Sequence, residues 1–104
     1  MFVGSALFDV LLPAGVASLK EKRAYVRPVV AALRRLDVAV AEVGGLSLYQ
    51  RVELGVASVA ADAAHVRDVL DACEHLVEGR PELELLSVRR QLRSSTDEEY
   101  AGHG

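Results

Sequence analysis

The feature that most constrains this chain is a helical repeat held between two turn signals. From Asp62 to Glu78, the apolar residues Val66, Val69, Leu70, Cys73, Leu76 and Val77 recur at the helical period. Asp62 stands at the N-cap position, and Gly79 with Pro81 marks the stop. A helix with one apolar stripe must bury it against another layer. The flanking sequence supplies that layer. Phe2 to Leu12 is almost wholly apolar, too short to span a bilayer and rich in strand formers, and Pro13, Ala14 and Gly15 end it. It reads as a central strand.

Ser18-Leu19-Lys20-Glu21 has the spacing of a capping box, in which serine and glutamate satisfy each other's free backbone donors at a helix start. Leu19, Val26, Val29, Val30, Leu33 and Leu36 then mark the buried face of a first helix ending near Leu36. Pro28 lies too deep for a first-turn proline and predicts a kink near Ala24. Asp37 to Val43 and Arg51 to Val59 flank a loop that opens with Gly44-Gly45, which predicts a hairpin with Val38, Val40, Val52, Leu54 and Val56 on its core side. A last strand spans Glu82 to Leu92. Its apolar side chains change parity between Leu85 and Leu86, as a bulge or burial on both faces would produce.

The order strand, helix, strand, strand, helix, strand is that of an α+β, ferredoxin-like βαββαβ domain: a four-stranded antiparallel sheet with two helices on one face. Right-handed crossovers place the first and third strands in the centre. One domain over residues 1–93 suits the length of 104 residues, and the polar stretch 94–104 reads as a disordered tail.

The fold hosts many functions, so function rests on sites. The formal charge of −3 argues against a general nucleic-acid coat protein. The single cysteine, Cys73, allows no internal disulfide, and no leader or membrane span is evident, so the cytoplasm is the expected address. Ten arginines against two lysines and no asparagine hint at a thermophile or a GC-rich genome. A phosphate-cradling loop of the acylphosphatase kind needs an arginine after the first strand and a positioned asparagine, and both are missing. A soft-metal carrier needs paired thiolates, and Cys73 stands alone on an apolar helix stripe. The open sheet face offers Val3, Ser5 and Leu7, with nothing on which a base could stack. His65, His75 and His103 lack ligand spacing or a nucleophile partner in sequence. No catalytic, metal or cofactor signature emerges.

Two features stand out. The first helix carries Lys20, Lys22, Arg23, Arg27, Arg34 and Arg35 against Glu21, whereas the second carries Asp62, Asp68, Asp71, Glu74 and Glu78 against Arg67. Mutual attraction between the two solvated flanks is the plain explanation. The functional alternative is that Lys20, Arg23, Arg27 and Arg34 form a basic stripe for RNA or an acidic protein. The loop Gly44 to Gln50 is the other feature: Leu46, Leu48 and Tyr49 suit a partner surface, a ligand lid or a loop folded back on the sheet edge.

Ser18-Leu19-Lys20-Glu21-Lys22-Arg23, Ala41-Glu42-Val43-Gly44 and Leu48-Tyr49-Gln50-Arg51 followed by Glu53-Leu54-Gly55 resemble successive signatures of the YlxP-like family of small bacterial proteins of unknown function. Tyr49 stands where that family usually has tryptophan. The resemblance implies a ferredoxin-like fold and a gene placed among translation and ribosome-maturation genes. Candidate contacts to RNA or a protein partner are therefore Lys20, Arg23, Arg27, Arg34, Tyr49, Gln50 and Arg51, and the expected function is a non-enzymatic binding module. A small-molecule regulatory domain and an unrecognised enzyme are the rival classes. A homodimer is also expected, through the open sheet face or along the edge of the last strand, because a solvated face is seldom so apolar.

Overall fold

The computed structural model describes residues 1–95. Strand β1 (Phe2–Leu11) is followed by α1 (Leu19–Arg34), β2 (Ala39–Gly44), β3 (Arg51–Ala60), α2 (Ala63–Glu78) and β4 (Glu84–Ser94). The strands form one antiparallel sheet in the order β2-β3-β1-β4, the arrangement expected for a ferredoxin-like domain. Strand β4 extends through Ser94, which pairs with Phe2, and the Ser95 N–H donates to the Met1 carbonyl at 2.8 Å. The rest of the expected tail lies outside the described residues.

Even positions of β1 face the helices. Ala6, Phe8 and Val10 are buried with Val52, Leu54 and Val56 of β3, while Val26, Val29, Leu33, Val66, Leu70, Cys73 and Val77 close the core from the helix layer. Gly4 belongs to the same face. A Cβ there would collide with the Val66 side chain, so this position lets α2 approach the sheet. In β4 the register shifts opposite Asp9 and Val10. Ser87 pairs with Asp9 and Leu85 with Val10, which leaves Leu86 bulged and exposed while Leu85 and Val88 pack inward. The parity change read between Leu85 and Leu86 is this bulge. A second irregularity, in β2, skips Val43.

The helix ends follow local chemistry. The Asp62 carboxylate accepts from the His65 N–H at 2.9 Å, and the Ser18 hydroxyl oxygen from the Glu21 N–H at 3.1 Å. The other half of the expected capping box takes a different form, because the Glu21 carboxylate accepts from the Ser18 hydroxyl rather than from its backbone. Helix α1 continues through Pro28 as one element, although proline removes the donor that the Ala24 carbonyl would otherwise use. Leu19 departs from expectation. It sits at the first helical position, 46% exposed, and the place on the buried stripe one turn before Val26 belongs to Lys22.

Cys73 is fully buried, and burial pushes its thiol pKa up, against a smaller opposing effect of Arg90. A thiol reagent is therefore expected to label the chain only as fast as the fold opens. Labelling of the native chain at the rate of an exposed thiol would refute that packing.

Candidate functional site

The structure distributes the sequence-based candidates over three places. Lys20, Arg23 and Arg27 stand together on the outer side of α1, where they flank Ala24 and Pro28 around a shallow cavity of about 380 Å³. Arg23 and Arg27 also border a second groove, of about 290 Å³, between α1 and the β2–β3 loop, with Leu19, Lys22, Val26, Glu42 and Leu46. Arg34 lies in the last turn of the same helix, exposed, and borders neither cavity.

Gln50 and Arg51 are engaged elsewhere. The Gln50 side-chain amide donates to the carbonyls of Ala14 and Val16, at 3.2 and 2.6 Å, and so ties the loop after β1 to the hairpin. Arg51 reaches across the opposite face of the sheet to make two parallel bonds with Asp9, at 2.8 and 2.7 Å. Those bonds hold the Asp9 carboxyl below the usual carboxylate range, against a smaller effect of desolvation. A depressed carboxyl contributes stability that is present above its unfolded pKa and lost as pH falls through the folded one. With Arg51 half exposed, that contribution is small. Tyr49 remains 46% exposed, beside the still more open Leu46 and Leu48.

Lys22, which sequence reasoning counted among the solvated cations, is 4% exposed. Its ammonium donates to the carbonyls of Gly45 and Leu48, each at 2.7 Å. Gly45 adopts φ +72°, and the Leu48 N–H closes a turn onto the Gly45 carbonyl at 3.0 Å. A Cβ at Gly45 would press to 2.8 Å from the Arg51 carbonyl oxygen, so the tight turn requires glycine here. The loop is thus drawn against α1 by its backbone while its apolar side chains stay outside. The available signal was spacing: Lys22, Val26, Val29 and Leu33 fall on one helical stripe.

Among the described residues no ion pair joins α1 to α2, and two acids of α2, Asp71 and Glu74, bind Arg90 of β4 instead, at 2.7 and 3.0 Å. The expected mutual attraction therefore takes no direct form there, and among the described residues Lys20, Arg23, Arg27 and Arg34 make no ion pair.

Among the described residues, no group of three or more His, Cys, Asp or Glu side chains could hold a metal ion, and no helix is long and apolar enough to cross a membrane. The arrangement suits binding. An outward cationic helix edge borders a groove closed by an anchored loop with apolar side chains. No curated protein matches the chain. The model of one family, described as a protein of unknown function, matches residues 3–90, from the start of β1 into β4. With most of the chain inside that match, it belongs to the DUF503 family of proteins of unknown function.

Proposed function

We propose that this chain is a non-enzymatic, cytoplasmic binding module that docks on RNA through α1, in the setting of ribosome maturation or translation. One observation carries the reading: among the described residues Lys20, Arg23, Arg27 and Arg34 have no ion-pair partner, while Asp71 and Glu74 of α2 are held by Arg90. Cations placed along one helix edge and left uncompensated attract a polyanion, and a bound phosphate chain gains by releasing its counterions. The overall charge of −3 does not oppose this, since salt screens the distant acids within about 10 Å. The ribosomal setting comes from the YlxP-like resemblance, with which the DUF503 match is compatible.

Reversing charge in the double variant Arg23→Glu with Arg27→Glu is expected to abolish co-sedimentation with ribosomal subunits. The same change should reduce the salt dependence of binding to an RNA probe by roughly two units of log–log slope. Both side chains are exposed, so the melting temperature should stay close to that of the wild type. Unchanged binding by a folded double variant would remove α1 as the contact.

A further inference from the structure

We propose that the open face of the sheet is the interface of a two-fold dimer in which β4 of one copy lies over β2 of the other. Odd positions of β1 and β3 and the outer side of β2 build this face. Ala39, Ala41, Gly55 and Ala57 floor a trough of about 550 Å³, bounded on the β4 side by Arg89 and Gln91. Cross-strand pairing sets the rows. Ala41, Gly55, Leu7 and Arg89 stand side by side, as do Ala39, Ala57, Ser5 and Gln91. The face is therefore uneven, low and apolar over β2 and β3, raised and cationic along β4.

That unevenness selects both the occupant and the axis. A two-fold axis perpendicular to the strands would stack β4 on β4, with Arg89 and Arg93 of one copy against the same cations of the other. An axis parallel to the strands instead lays the raised β4 of each copy over the partner's trough. The same rotation sets β1 over β3. Leu7 then meets Gly55, which presents no side chain and is flanked by Val43, and Val3 meets Val59, which is 61% exposed in a single chain. Among the described residues neither Glu53 nor Arg89 makes an ion pair. The rotation sets Glu53 over Asp9 of the other copy, whose charge Arg51 already meets, and places Arg89 of that copy one row away, within reach of Glu53. The area is sufficient. The 37 residues of the four strands, at about 3.4 Å each along strands spaced about 4.8 Å apart, give about 600 Å² per copy. The total, about 1,200 Å², reaches the lower end of the range of specific interfaces, about 1,200–2,000 Å². Both helix layers remain outside, so the two α1 edges stay accessible.

Sedimentation equilibrium of the full chain at tens of micromolar tests this. The expected mass is twice the 11.2 kDa of one chain, and a mass of 11.2 kDa would overturn the proposal. Ala57→Lys places a charge on an exposed position in the trough and should halve the mass without disturbing the circular dichroism spectrum. Leu7→Lys should do the same. A dimer that survives Ala57→Lys would be paired along a strand edge, and a monomer whose melting point rises with a small molecule in the trough would have a different occupant. Either result refutes the face-to-face packing. The charge arm tests the axis: Glu53→Arg and Arg89→Glu should each weaken the dimer, and their combination should restore it. Losses that simply add would refute the parallel axis.

Discussion

Replacing Phe8 with alanine is expected to lower the free energy of unfolding by about 3–5 kcal/mol, the largest single-residue effect in this domain. Phe8 is fully buried on the central strand, with Leu54 and Val88 as its cross-strand neighbours. Truncation loses the transfer free energy of the ring and leaves a cavity between two strands and the helix layer that a regular sheet cannot collapse to fill. Domains of this size are stable by about 5–15 kcal/mol, so the variant would sit near the edge of folding. Urea denaturation at several chain concentrations reads the change and separates it from any dimer contribution. A loss of less than about 1 kcal/mol would mean that the core does not depend on this parity of β1.

The second large effect is expected at Lys22. Lys22→Met keeps the length of the side chain and its apolar stem but removes the ammonium that holds the Gly45 and Leu48 carbonyls. Hydrogen bonds from a charged donor contribute about 1.5–3 kcal/mol each in the general case. Because the loop is exposed on its outer side, water can replace part of that. A net loss of about 2–3 kcal/mol is expected, with faster amide exchange at Leu48, whose N–H closes the loop turn. If the ammonium anchors the loop only weakly, the methionine variant will match the wild type in urea midpoint and in Leu48 exchange, and the clamp reading is wrong. The experiment also bears on RNA binding. Loss of the loop anchor would reshape the groove beside Arg23 and Arg27 without removing either cation.

The residues that organise the candidate site were only half legible. The helix edge bearing Lys20, Arg23, Arg27 and Arg34 follows from the helical period, because which residues share a face depends on spacing along one element. Whether those cations are free does not follow. It depends on where acids distant along the chain go, and two of those on α2, Asp71 and Glu74, go to Arg90, which sits on the helix-facing side of β4. Arg51 and Gln50 looked like one motif with Tyr49, yet a strand's alternation sends neighbouring side chains to opposite sides. Arg51 joins Asp9 on the open face, and Gln50 ties down the Ala14–Val16 backbone.

By itself the sequence determined the element order, the α+β sheet topology, the core parity of β1 and β3, both helix starts and the parity change near Leu86. Each of these is written in signals that act over a few residues, such as an N-cap side chain, a period of two or 3.6, or an apolar residue out of phase. Only the tertiary structure decided that Lys22 is a buried clamp, that Leu19 is left at the surface and that, among the described residues, no ion pair joins the two charged helices. Those outcomes turn on groups distant along the chain. The carbonyls that receive Lys22 belong to Gly45 and Leu48, beyond a whole strand, and a buried lysine is tolerated where such acceptors replace its water. Spacing along α1 records that Lys22 shares the stripe of Val26 and Leu33, but not what waits at the end of that stripe.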